Sequence, residues 1–455
     1  MKPRKSNLFV MVLLVIIIML TSCASPQATS APQVTSAPAV TKAPVATSVP
    51  QPVTIKWWVP NWDEAVAKVL VAEFEAQNPN IKVEMSITTW NTMLGQIRTA
   101  LEGQNAPDVI TDLESRTAGY AKLGLIANLQ PYFTASKVDM SDFVSSAIPQ
   151  NSYKGDMFGM PMRHDGPGVL YNKTMFKAAG LDPNVFPKTW DELIPVLRKL
   201  TIDKNGNDST SPNFDANNVV QYGMGWPLGN QGNAANRFIL LNANFGGDRV
   251  TNEEETKCTL NTAAGKRALT YLYDTVVKYK VVPKSALESD NTGITNLMIN
   301  KKVALEINNA YDIAPIQKGA PDIELGTSTL PGLGNGKIGL TIVNGFNLYV
   351  PANSKNKDAA WKLVEFIGRT ENAGRLTTTQ PARKSAYKLD RYKDPLWGPY
   401  TAQMDSGVSD QVYVQWPAME KVIYTQMQQI LLSGKDIDKA LTDMCAEIDG
   451  ILAQK

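Results

Sequence analysis

Apolar and polar positions divide the chain into three unlike stretches. Leu8 to Leu20 is a run of 13 apolar residues without a polar break, preceded by Lys2, Arg4 and Lys5. It is too short to span ~30 Å of hydrocarbon as a mature helix, and its flanks predict a secretory leader over 1–22. From Ala24 to Pro52 no periodicity survives: 29 residues of almost only Ala, Pro, Ser, Thr, Val and Gln follow, with Lys42 the single charge. Such a segment cannot offset its chain entropy by burial and predicts an extended linker. From Val53 onward, periods of two and of 3.6 residues alternate. Val53–Val59 reads as a strand. Val66, Val69, Leu70 and Phe74 read as a helix stopped at Asn78-Pro79. Ile81, Val83, Met85 and Ile87 read as a half-buried strand, Asn91–Glu102 as a helix, and Pro107–Thr111 as a third strand.

Strand–helix–strand–helix–strand predicts a parallel sheet with right-handed crossovers, whose ligand cleft lies beyond the carboxyl ends of its strands. Those ends carry Trp58, Asn61, Trp62, Thr88, Trp90 and Asp112. A second α/β unit begins after Met160. Val169–Tyr171 is its strand, Asn172 a helix cap, and Thr189 with Glu192 a capping box. Further helices are predicted over 263–279, 358–367 and 436–452.

Composition narrows the partners. The formal charge of +2 includes three leader cations, so the processed chain is close to neutral, which argues against a nucleic-acid partner. The leader ends Leu20-Thr21-Ser22-Cys23. This resembles a bacterial lipobox, in which Cys23 takes a diacylglyceryl group and tethers the protein to a membrane outside the cytoplasm, at the cell surface or the periplasmic face; a plain signal peptide is the alternative. Cys258 and Cys445 remain, either as a disulfide or as two small buried hydrophobes.

Ordered motifs carry a family resemblance over essentially the whole body. Gly168–Lys173, Ala178–Leu181 and Lys188–Leu193 follow one another closely. Gly103–Val109 precedes them, and Leu297–Leu305 and Val350–Trp361 come later. The set resembles the extracellular solute-binding protein family 1, the maltose-type receptors of sugar importers. The resemblance implies an α/β, two-lobed periplasmic-binding-protein-like fold of type II, each lobe a mainly parallel sheet flanked by helices. It further implies a three-crossing hinge near 162–168, 307–310 and 349–352. Lobe one is then 53–164 with 309–349, and lobe two 165–308 with 350–455. It implies no enzyme activity, cofactor or metal, and a monomer that delivers a carbohydrate to the permease of an ABC importer.

Catalytic readings fare poorly on the residues themselves. His164 is the one histidine, which excludes His-Glu-x-x-His zinc chemistry. No Gly-x-Ser-x-Gly turn is present. The Gly332–Lys337 run lacks both the leading glycine and the trailing Ser/Thr of a phosphate loop. Asp203, Asn205 and Asn207 have calcium-loop spacing, but Gly206 is misplaced and Phe214 occupies the twelfth position, leaving an Asn/Asp-rich turn as the simpler reading. A glycosidase needs only two carboxylates at a set separation, and a chain with 43 acids keeps that rival open.

Sugars present C–H faces to aromatic rings and vicinal hydroxyls to planar polar groups. On that chemistry the ligand candidates are Trp58, Asn61, Trp62, Trp90, Asp112, Arg163, Asp165, Trp226, Asn309, Tyr311, Asn344 and Arg383. Trp62 and Trp226 are expected to stack on sugar rings from opposite lobes, while Trp190 and Trp361 are expected in the core. His164 is either a satisfied hinge residue or a ligand contact, and Arg163 and Asp165 either meet the ligand or pair with each other. A polyol, a glycerol phosphate diester or a polyamine remains an alternative ligand.

Overall fold

A computed structural model describes residues 52–454 except 104, 335 and 410–414; Cys23 and the linker lie outside this set. Thirteen strands are formed within it. They are β1 (Val53–Pro60), β2 (Ile81–Thr88), β3 (Val109–Leu113), β4 (Ser152–Tyr153), β5 (Asp156–Met157), β6 (Met160–Asp165) and β7 (Gly168–Asn172). After them come β8 (Ile202–Asp203), β9 (Val219–Gly225), β10 (Val303–Asn308), β11 (Leu325–Ser328), β12 (Thr341–Tyr349) and β13 (Gly407–Ser409).

Two sheets organise the body. The first has the order β13-β12-β3-β1-β2, with β6 also on β12; the second has the order β11-β7-β10-β9-β8. In the first, β1 pairs parallel with β2 and β3, as the helical crossovers α1 (Glu64–Gln77) and α2 (Trp90–Glu102) require. The second departs from the mainly parallel expectation. Only β9–β10 is parallel there, because β7, β8 and β11 all enter antiparallel. Both sheets are therefore mixed.

Each sheet has its own core. In β1 the even spacing sends Ile55, Trp57 and Val59 inward, where they meet Leu70, Phe74, Trp361 and Phe366. Trp57 remains satisfied there because its indole N–H donates to Thr111 Oγ1 at 3.0 Å. Trp58 takes the opposite face. The second core is built on Trp190, Trp226, Phe238, Met427 and Ile448. Trp190 and Trp361 are thus core residues, as expected.

Local signals hold closely. Thr189 Oγ1 accepts from the Glu192 N–H at 3.1 Å, while the Glu192 carboxylate accepts from the Lys188 N–H at 2.9 Å, one residue before the box's usual donor. Asn172 caps its helix at 3.2 Å, and Asp436 caps Ile437–Leu452. Asp203 Oδ1 takes the N–H groups of Asn205 and Asn207, and Oδ2 takes those of Asp215 and the Asn207 side chain. Burial pushes this carboxyl up, but the donors outweigh it and hold it at about 2. The calcium-like spacing therefore builds a turn around one acceptor.

The first crossing falls within the 162–168 that the resemblance implied, and the later ones fall elsewhere. The chain first passes from sheet to sheet at Gly166-Pro167, between β6 and β7. After β10 it does not cross: the helix Ile313–Gly319 packs by Ile313 and Ile316 beside Leu170, and β11 adds to β7. The second crossing is 329–340. The third also comes late, since Ala360–Ala382 belong to the first core and Tyr392, Trp397 and Tyr400 to the packing beside β7. Then β13 returns to β12 before Trp416–Ser433 and Ile437–Leu452 enter the second core. Around the first crossing, the Pro167 carbonyl accepts from Thr341 Oγ1 at 2.8 Å and from Gln403 Nε2 at 2.6 Å, while Gln403 Oε1 accepts from the Leu330 N–H. A Cβ at Gly166 would lie 2.6 Å from Thr341 Oγ1 and 2.8 Å from the Ile342 carbonyl, so only glycine fits this approach.

Candidate functional site

Where the two sheets meet, the residues after β1 and those of β6 and β12 converge. Arg163 on β6 is the centre. Its guanidinium lies 4.6 Å from the Phe346 ring centre and 6.0 Å from that of Trp62, and the two rings meet edge to face at 5.8 Å. Asp63 closes the far side as a buried ion pair with Arg163 Nη2. Burial pushes the Asp63 carboxyl up, and Arg163 opposes this. Asp63 Oδ1 has no hydrogen-bond partner among the described residues. Trp62 is the outer member of the stack and keeps 36% of its surface exposed. A flat, cation-backed aromatic face at a strand end is suited to stacking a neutral ring.

Two residues along β6, Asp165 crosses the junction. Its Oδ1 accepts from Asn309 Nδ2 at 2.6 Å, and its backbone pairs with Asn344 on β12. Asp165 thus belongs to the first sheet and Asn309 to the turn after β10 of the second. Burial raises the Asp165 carboxyl, opposed by the Thr379 hydroxyl and by Arg163. Tyr311 follows, with its hydroxyl accepting from Asn291. Asn61 is exposed directly after β1. Arg163, Asp165, Trp62, Asn61, Asn309, Tyr311 and Asn344 therefore collect at the junction.

Arg163 pairs not with Asp165, one of the two alternatives for it, but with Asp63, a hundred positions away. Behind Asn309 lies a second polar group that sequence reasoning missed: Glu306 on β10, Asp312 and Arg237, all buried. Burial drives Glu306 well up and Asp312 to about 7, and it lowers Arg237 to about 10, while the guanidinium donates to the Asn236 side chain and the Ile307 carbonyl. Glu306 sits at a strand position that reads as apolar, so no local signal marked it.

The remaining expectations change. Trp226 is not at the cleft: it is fully buried, stacks on Trp190 at 6.1 Å with planes 4° apart and meets Tyr271 edge to face at 6.3 Å. Arg383 is structural, with Nη1 on Asp142 at 3.1 Å and its guanidinium over Phe143 at 4.3 Å. Asp112 is wholly buried and pairs with Arg116 at 3.3 Å; burial outweighs the arginine and raises the carboxyl to about 6. His164 is satisfied from both sides, Nδ1 by Glu114 at 2.7 Å and Nε2 by Ser146 at 2.8 Å. Trp58 is half-buried on the face of the first sheet opposite to Trp57, packed against the cluster of Met93, Ile97, Leu101 and Ile110. Trp90 opens α2, and its side chain is outside the described set.

The comparisons with known proteins agree with this architecture. Over 336 residues the chain is 23% identical to the multiple sugar-binding protein of Streptococcus mutans, covering 72% of this chain and 71% of that one. The sugar-binding protein MalE of Xanthomonas citri superposes with a TM-score of 0.75 at 22% identity, over 88% of this chain and 98% of that one. An ABC transporter solute-binding protein of Thermotoga lettingae, solved with alpha-D-tagatose bound, superposes with a TM-score of 0.74 at 23% identity, over 88% and 99%. Residues 60–374 match the family model of the bacterial extracellular solute-binding proteins, and the chain belongs to that family.

Proposed function

We propose that this protein captures a carbohydrate at the junction of its two sheets and hands it to the permease of an ABC importer. The observation that carries the reading is the Trp62–Arg163–Phe346 stack, its indole face exposed beside the Asp165–Asn309 bridge. The indole supplies a face for sugar C–H groups, and the carboxylate and amides at the bridge suit hydroxyl pairs. Relatives described as sugar-binding support the same ligand class. Arg163, the buried cation beside the exposed indole, already has an acid partner in Asp63, which disfavours a phosphate diester. We read the two sheets as lobes: 53–165, 341–388 and 403–409 in the first, and 168–328, 389–402 and 416–454 in the second. Ligand between them draws them together.

The test is a thermal-shift panel of sugars, polyols and polyamines, followed by titration of the best ligand. Trp62→Ala should weaken binding by about 1–3 kcal/mol, with little change in the melting temperature without ligand. The radius of gyration should fall on saturation. A ligand outside the sugars, or unchanged affinity in Trp62→Ala, defeats the reading; turnover of chromogenic glycosides would favour the glycosidase instead.

Lipid attachment at Cys23 completes the proposal, holding the receptor by its linker on the outer face of a bacterial membrane. Cys23→Ser should release the protein from membranes or leave the leader uncleaved. Fractionation and migration identical to the parent would rule the anchor out.

A further inference from the structure

Trp58 belongs to a second pocket. On β1 it points opposite to Trp57, and with Gln96, Thr99, Ala100, Gly103 and Asn105 it lines an open cavity of about 430 Å³. That volume falls within the range of small-molecule sites. The pocket is distinct from the junction. Trp58 lies three and four residues back from Asn61 and Trp62 along the chain, roughly 10–13 Å in an extended strand. The lining residues of α2 come from its second half, and α2 starts next to the carboxyl end of β2 and runs away from it.

Its chemistry is specific. None of the six lining residues is charged, and the one ionic pair on this stretch of α2, Arg98 with Glu102 at 2.8 Å, is internal. Among the described residues, the side chains of Gln96, Thr99 and Asn105 make no hydrogen bond, and the Trp58 indole N–H donates to none. Two planar amides, a hydroxyl and an indole N–H thus stand free around a half-buried aromatic ring. A phosphate would lack a cation here and a polyamine an acid. A neutral ring with an apolar face and adjacent hydroxyls finds both kinds of partner.

We infer that the Trp58 pocket is a second saccharide site, outside the cleft, which takes a single sugar unit more weakly than the cleft does. The inference rests on the carbohydrate reading of the protein but on different residues, so the two can fail separately. Full-length protein carrying fluorotryptophan gives one fluorine signal for each of its nine tryptophans. Trp58→Phe and Trp62→Phe assign the two that matter. The probes are glucose, galactose, N-acetylglucosamine and maltose.

In Trp62→Ala protein, where the cleft is impaired, at least one probe should move the Trp58 signal saturably. Gln96→Ala and Asn105→Ala, both exposed positions, should each raise the apparent Kd at that signal about fivefold while leaving the Trp62 response of the parent unchanged. A Trp58 signal that no probe moves overturns the site, whatever Trp62 does. So does one that moves in the parent but not in Trp62→Ala, because it then reports events in the cleft. An immobile Trp62 signal beside a titrating Trp58 would instead sink the cleft assignment.

Discussion

Arg163→Met should lose about 3–5 kcal/mol of stability and most of the ligand affinity together. Among the described residues the guanidinium is the only ion-pair partner of a carboxylate that is itself 1% exposed, and removing one member of a buried pair strands the other. The same change removes the cation between the Trp62 and Phe346 rings. The loss has a pH signature. Burial already raises Asp63, and without Arg163 its charged form is penalised further. A carboxyl raised in the fold costs stability above its folded pKa and nothing below its unfolded one, so the loss should shrink as pH falls from neutral towards 4. The double variant Asp63→Asn/Arg163→Met should recover much of the stability but not the binding. Urea unfolding and ligand titration read both effects. A single variant within about 1 kcal/mol of the parent at neutral pH would show that the pair carries no such weight.

Breaking the Cys258–Cys445 bond should be the other large effect. The bond joins positions 187 apart, tying the segment before the helix Ala263–Tyr273 to the helix Ile437–Leu452. Closing so long a loop in the unfolded chain is worth ~5 kcal/mol in the entropic account, and measured bridges give about 2–4. The native ends stay together without it: the Cys258 N–H donates to Asp449 at 2.6 Å, and Leu441, Met444 and Ile448 hold the helix in the core. The loss is therefore carried by the unfolded state. Reductant should lower the melting temperature of the parent and leave that of Cys258→Ser/Cys445→Ser unchanged. A parent indifferent to reductant would contradict the assignment.

Short-range chemistry was legible in the sequence. Alternation separated Trp57 from Trp58, the Thr189 box started its helix, and the spacing of Ile437, Leu441, Met444 and Ile448 defined the last helix. What escaped depends on partners far along the chain. Trp226 follows a strand and reads as a rim residue until Trp190 and Tyr271, each from another helix, pack against it. Asp63 reads as the start of α1, and only the fold brings Arg163 to it. Arg383 and Asp112 have the right chemistry for sugar hydroxyls, but their bonds are already taken by Asp142 and Arg116. The first crossing matches the one that the resemblance implied; the later ones differ, and the residues could not correct them, because periodicity reports that a strand exists and not which sheet it joins: β11 has nothing in Leu325–Ser328 that distinguishes β7 from β12 as its neighbour.

The shared acceptor at Pro167 has a mechanical consequence. Thr341 and Gln403 come from separate segments that run between the sheets, yet both are fastened to one carbonyl oxygen, and Gln403 also holds Leu330. A joint pinned at a single point can swivel but cannot slide. Relative movement of the two halves is then a rotation with its fulcrum beside Gly166, where displacement is smallest. Trp62, Arg163 and Asp165 all ride on the first sheet close to that fulcrum, so they would keep their mutual arrangement as the second sheet turns. The Asp165–Asn309 bridge would then act as a near-fixed stop, and the angle through which the second sheet opens would set how thick a ligand can be held against the indole.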